Sequence, residues 1–202
     1  MTKQFHDHTL STDALDQLFN EARSYNDWLA KDVSDEHIRQ IHALLKMAPT
    51  SANMQPGRFV WVKGDEAKSK LVDCVSDGNK DKVKAAPVTV IIGYDIDFHE
   101  HLPELFPHTD AKSWFEGDED GRIEGAKRNS ALQGAYLMLA ARAIGLDCGP
   151  MSGVDLDAVT KEFFADHPRV KADWICSIGY GDPESIFDRS PRPEFGKFNQ
   201  IV

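Results

Sequence analysis

The chain has 202 residues, 41% of them hydrophobic, which suits one compact domain with a sizeable core. Its formal net charge of −10 argues against nucleic acid or an anionic membrane as the main partner, so any phosphate site has to be built locally. No apolar run reaches the roughly 18 residues of a membrane span, and the polar N-terminus lacks the apolar centre of a signal peptide, which points to a soluble, cytoplasmic protein.

Residues 1–11 read as flexible. A first helix is predicted from Thr12 to about Leu29, with Leu15, Leu18, Phe19, Ala22 and Tyr25 on one face. Ser34 is placed to cap a second helix whose stripe is Ile38, Ile41, Leu44, Leu45 and Ala48, and Pro49 lies at its end. "RFVWV" (58–62) reads as a strand, and a short helix follows near Glu66 to Val75. Next come a Gly-containing turn, a short helical turn and a strand, Val88 to Gly93, whose β-branched run predicts cover on both faces.

Residues 95–121 are the least regular part. They predict a short helix or two and an exposed loop, with Phe98, Phe106, Trp114 and Phe115 available to pack as a lid or a dimer contact. Arg122 to Ile144 is the longest helix, apolar on nearly all sides and so expected to be buried, with Gly145 as its left-handed cap. "LDCGPMSGVD" (146–155) reads as a turn-rich link. Asp155 or Asp157 then caps a helix holding Val159, Phe163 and Phe164. "DWICSIGYGD" (173–182) is the last strand with its exit turn, and residues 183–202 read as an extended arm. The result is one α+β domain, residues 1–202, around a small sheet flanked by helices.

Motifs for several chemistries are missing. There is no G-x-G-x-x-G after a strand and no P-loop, so neither a dinucleotide-fold dehydrogenase nor a P-loop enzyme fits. Cys74, Cys148 and Cys176 are odd in number and widely spaced, which suggests buried cysteines rather than a disulfide framework or a metal site. His99, His101 and His108, like His6 and His8, match no metal spacing, so no metal is expected. "GPMSG" resembles a nucleophile elbow only in its glycines.

Five polar clusters remain: "ARSYND" (22–27), Thr50 to Gln55 between Pro49 and Pro56, "SDGNKDK" (76–82), "GPMSG" (149–153) and "RSPR" (189–192). Together they supply amides, hydroxyls, glycines that permit close backbone approach, and three arginines. That inventory suits a polar heterocycle with a phosphate tail.

The stretches "ARSYNDW", "PTSANMQP", "GNKDKV…APVT", "LPELFPHTDAKSWF", "RNSALQGAYLMLAARAIGLDCGPMSG" and "IGYGD" resemble the FMN-dependent nitroreductase family, from about Leu15 to Arg192. "LFPHTDAKSWF" is similar to its malonic semialdehyde reductase subgroup, of pyrimidine degradation. The resemblance implies a nitroreductase-like fold with a small mixed, mainly antiparallel sheet, an extended C-terminal arm and an intertwined homodimer with FMN at the interface. It implies that Arg23 and Ser24 contact the FMN phosphate and ribityl chain. Asn26 stands where many members carry a basic residue near the flavin pyrimidine edge. Ser51, Asn53 and Gln55 match a segment donated by the other subunit. Asn79 and Lys82 match the ring edge, Met151, Ser152 and Gly153 the loop near N5, and Arg189 and Arg192 the phosphate cations. The implied activity is hydride transfer from NAD(P)H through flavin N5 to a small carbonyl, malonic semialdehyde going to 3-hydroxypropionate, with no side chain assigned as catalytic. The alternatives are a nitro-, quinone- or enone-reductase with the same cofactor, or a flavin-binding dimer without turnover.

Overall fold

The computed structural model describes residues 8–202; residues 1–7, with most of the segment read as flexible and His6 of the N-terminal histidine pair, lie outside the described residues. Four strands, β1 (Gly57–Val62), β2 (Val88–Asp95), β3 (Asp147–Met151) and β4 (Val170–Gly179), form one sheet in the order β1-β2-β4-β3. Every strand pairing is antiparallel, where a mixed, mainly antiparallel sheet is expected; a parallel bridge outside the named strands joins Ser24 to Cys148.

β2 is buried along its whole length, because both of its faces are covered. Val88, Val90 and Ile92 face α2 (Asp35–Leu45) and α6 (Glu119–Ala143), meeting Ile41, Leu45, Leu137, Ala140 and Ala141. Ile91, one residue out of phase, faces the opposite way toward α3 (Asp65–Asp73), α4 (Asp77–Ala85) and α7 (Leu156–Phe163), through Leu71, Val72, Val83 and Val159. A third cluster, built on Met54, Tyr94, Ile96, Phe98, Leu102 and Ala126, packs the irregular region against the N-terminal half of α6. The one polar pair across the buried strands, Thr89 Oγ1 and Ser177 Oγ at 2.9 Å, satisfies itself.

Caps follow the sequence. Ser34 Oγ accepts from the His37 amide at 3.2 Å, and Asp155 accepts from the Ala158 amide at 3.0 Å. Gly145 takes φ +80° and closes α6 as expected. The irregular region holds a 3₁₀ turn (Phe98–His101), α5 (Leu102–Leu105) and a second 3₁₀ turn (Lys112–Phe115).

Several expectations are corrected. The first helix, α1 (Thr12–Leu15), widens into a π turn (Asp16–Asn20) and stops there. Beyond it, the backbone is taken by the sheet edge: Tyr25 N donates to Cys148 O at 3.0 Å and Leu29 N to Tyr180 O at 2.8 Å. The supposed link at 146–155 contains β3, an edge strand in which Pro150 is exposed and its missing N–H is tolerated. The Gly-containing turn and short helical turn expected before β2 are one nine-residue helix, α4. Phe19, predicted to face in, is exposed because its helix ends at the next residue, and Leu44 is exposed on α2. α6 is not buried all round either: Leu132 and Tyr136 are exposed on the face turned away from the sheet.

Candidate functional site

The early end of the first helix is what builds the site. Freed from helix, residues 23–29 lie along β3 and the exit of β4, with Ser24 bridged to Cys148 and Trp28 to Gly181. Close approach depends on Gly149, where an added Cβ would stand 2.4 Å from the Tyr25 carbonyl. Asp147 accepts from the Gly181 amide at 3.0 Å; burial pushes its carboxyl above the usual range, opposed by that bond and by Arg142.

At one end of this strip Arg23, Arg142, Arg189 and Arg192 line a cavity of about 240 Å³ with Ala22, Ser24, Asp188 and Ser190. The forks of Arg23 and Arg189 are held by carbonyl oxygens, Arg23 on Phe187 and Arg189 on Asn20 and, at 3.2 Å, Ala22. Arg192 donates to Ser190 O at 2.9 Å. The sequence contains nine arginines. Among the described residues, Arg39, Arg58, Arg122, Arg128 and Arg169 are ion-paired with carboxylates, and the four at this cavity are not. Four guanidinium groups gathered with one carboxylate, Asp188, and no ion pair to it fit a phosphate ester.

The strip continues from Met151 through the exposed Ser152 to Gly153. There Asn79 Nδ2 and the Ser76 amide both donate to the Gly153 carbonyl at 3.0 Å. Lys82 stands one turn after Asn79 on α4. Its neighbours Lys80 and Lys84 pair with Asp77 and Asp81, whereas Lys82 has no carboxylate partner among the described residues. Arg23, Ser24, Arg189 and Arg192 thus meet at the cavity, Asn26 lies in the segment beside β3, Met151, Ser152 and Gly153 lead from β3 to the Asn79 contact, and Lys82 shares a helix with Asn79.

Ser51, Asn53 and Gln55 do not join it. Their loop enters β1, the opposite edge of the sheet from β3, three strand spacings or about 14 Å away. Its amide at Ser51 donates to Asn129 Oδ1 at 2.8 Å, and the α6 rise puts that point about 20 Å from Arg142. The loop is held tightly: Gln133 Nε2 donates to Gln55 Oε1 at 2.7 Å, and Asn53 Nδ2 donates to Leu105 O at 2.8 Å. Ala52, Asn53 and Gln55 all have left-handed backbone, φ 48°, 49° and 41°. Such strain in non-glycine residues persists only where the surroundings over-determine it, and it concentrates at ligand sites.

Arg142 was not found by motif reading, because an arginine in the last turn of a helix is ordinary dipole complementation. Its one sequence signal is its place in "AARAIGLDCG", just before the strand that the site follows. The histidines of the 95–121 region go elsewhere: His99 is buried and His101 lies 3.8 Å from Asp95. Among the described residues no group of His, Cys, Asp or Glu is arranged to hold a metal ion, and no helix is long and apolar enough to cross a membrane.

An antiparallel α+β core with a guanidinium cavity at the sheet edge defines a scaffold for a phosphorylated ligand. The Nitroreductase family model matches residues 1–182. A Stenotrophomonas maltophilia (strain K279a) protein, provisionally named an NADH dehydrogenase/NAD(P)H nitroreductase, is 53% identical over 195 residues, 96% of this chain and 99% of that one. In fold, the chain matches ydfN of Bacillus subtilis, provisionally a nitroreductase, with TM-score 0.86 at 23% identity, over 95% of this chain and 100% of that one. It also matches an Exiguobacterium sibiricum protein, provisionally a nitroreductase and solved in complex with FMN, with TM-score 0.83 at 21% identity, over 96% and 99%. The chain belongs to the nitroreductase family.

Proposed function

We propose that the protein passes reducing equivalents from NAD(P)H to a small carbonyl compound, malonic semialdehyde giving 3-hydroxypropionate. It is an FMN-dependent NAD(P)H oxidoreductase of the nitroreductase family. The observation that carries the reading is the cavity of Arg23, Arg142, Arg189 and Arg192 at the head of a polar strip, a charge arrangement matched to the cofactor's phosphate. Bound FMN supplies a ring that takes a hydride from the nicotinamide and gives it to the acceptor.

The chain's own groups hold and tune that ring. Ser24 and Asn26 face the ribityl chain and pyrimidine edge in this reading, and Asn79 is fixed by Gly153 O to serve the ring edge. Lys82, free of acidic partners among the described residues, supplies positive charge where reduction leaves negative charge. No side chain acts as a nucleophile. A homodimer accounts for the distant loop: Ser51, Asn53 and Gln55 serve the partner's cofactor. Exposed apolar residues on α6 (Leu132, Tyr136), on α2 and the turn after it (Leu44, Met47) and on the arm (Phe187, Phe195, Phe198) support a second copy as their cover.

A second reading keeps the cofactor and takes a planar nitro, quinone or enone acceptor. It is favoured by Phe106, whose ring meets His108 at 5.5 Å and Trp114 at 6.1 Å beside the Asn53–Leu105 hydrogen bond. The test is anaerobic reduction by NAD(P)H, followed by reoxidation with malonic semialdehyde, nitroaromatics, quinones and enones. Rapid reoxidation by the semialdehyde is expected; none, with rapid reoxidation by a planar acceptor, selects the second reading. A yellow protein that no nicotinamide reduces is a flavin binder without turnover.

A further inference from the structure

We infer that Arg142 is a binding residue for the cofactor's phosphate ester and sets the preference for FMN over its unphosphorylated form. The inference rests on the flavin reading above and adds a residue that no motif supplies. Arg142 sits in the last turn of α6, half-buried, and lines the 240 Å³ cavity beside Arg23, Arg189 and Arg192. It is positioned from outside its own helix: Nη1 donates to Leu18 O at 3.3 Å, and Gln17 Nε2 donates to the Arg142 carbonyl at 2.6 Å. Both partners belong to the π turn that precedes Arg23, so one short segment delivers two cations to one cavity.

Asp147 is the acid whose titration Arg142 influences, yet the two form no ion pair, and Asp147 already accepts from the Gly181 amide. A guanidinium carries five donors, and among the described residues one of Arg142's is used, on Leu18 O. The others are available to an anion. A phosphate monoester carries about −1.5 to −2 charges near neutral pH, and Asp188 adds a carboxylate to the cavity wall, so the fourth guanidinium has negative charge to answer beyond what the phosphate brings.

The competing role is structural: complementing the α6 dipole and tying it to Leu18. Riboflavin separates the two, since it has the same ring and ribityl chain but no phosphate. Dissociation constants for FMN and riboflavin are measured with the full chain, wild type, Arg142→Gln and Arg142→Lys. The expected result for Arg142→Gln is FMN binding weakened about 10- to 100-fold, the scale of a lost charge-assisted hydrogen bond, with riboflavin changed by less than about twofold. The salt dependence of FMN binding falls as well. Arg142→Lys, which keeps the charge and loses the fork, falls between and serves as the reading if the glutamine variant does not fold. FMN and riboflavin weakened equally, or FMN unchanged, overturns the role of Arg142. A wild-type protein that binds neither flavin overturns the flavin reading itself and Arg142's role with it.

Discussion

Asn79 and Gly153 lock each other in place. The Asn79 amide nitrogen donates to the Gly153 carbonyl at 3.0 Å, and a Cβ on Gly153 would stand 2.7 Å from that same nitrogen. Gly153→Ala therefore displaces Asn79 or the turn after β3. We expect a stability loss of about 1–3 kcal/mol, the usual scale of overpacking, together with weaker flavin retention. Urea unfolding and flavin retention after dialysis check this; full retention would remove Asn79 from the ring edge.

Asn53 combines a left-handed backbone with a side chain bound to Leu105 O. Asn53→Ala puts a residue that tolerates left-handed backbone less well than asparagine at this position and deletes that bond, a loss of about 2 kcal/mol in stability. FMN affinity should fall too. Asn53→Gly relieves the backbone and still lacks the amide. If FMN affinity returns in the glycine variant, the side chain has no part in cofactor binding.

In the proposed reading Asn26 lies at the pyrimidine edge, where a cation favours the reduced flavin. Asn26→Lys is expected to raise the reduction potential, measured by redox titration against wild type. An unchanged or lower potential would leave Lys82 as the sole candidate for that charge.

His99 gives a pH signature. Burial, and then Arg122, push its imidazole below the usual value of 6.5, while Glu100 and Asp97 oppose them weakly. The unfolded chain thus takes up the proton first as pH falls. Stability is expected to be level with respect to this group above about pH 6.5 and to decline below it, down to the native pKa. Denaturant melts between pH 5 and 7 check this, and His99→Gln should flatten the slope. Nδ1 of His99 is buried without a hydrogen-bond partner among the described residues, so none of them compensates the charged form there.

Much of the molecule can be read from its residues, and the failures have physical causes. Ser34 and Asp155 announce their caps through side-chain chemistry alone, and the β-branched run of β2 announces a doubly covered strand. The loop at 51–55 stood out because two prolines enclose a dense polar set. Residues 22–29 misled because Ala22 and Tyr25 keep helical spacing, and only the tertiary partners Cys148 and Tyr180 decide otherwise. β3 was hidden because Gly149 and Pro150 are poor strand formers, and their value lies in what the neighbouring backbone needs. Arg142 was invisible for a related reason: its meaning comes from three other arginines far away in sequence.

The four arginines also bear on how long the protein lasts in a cell. Without a bound anion their like charges repel at close quarters, and the fold carries that repulsion together with three residues of strained backbone at the 51–55 loop. Flavin binds the native state and relieves it, so stability rises with free FMN by mass action. Newly made chains short of flavin are then the ones most exposed to proteases. On the proposed flavin reading, the steady-state amount of protein then follows the riboflavin supply of the cell.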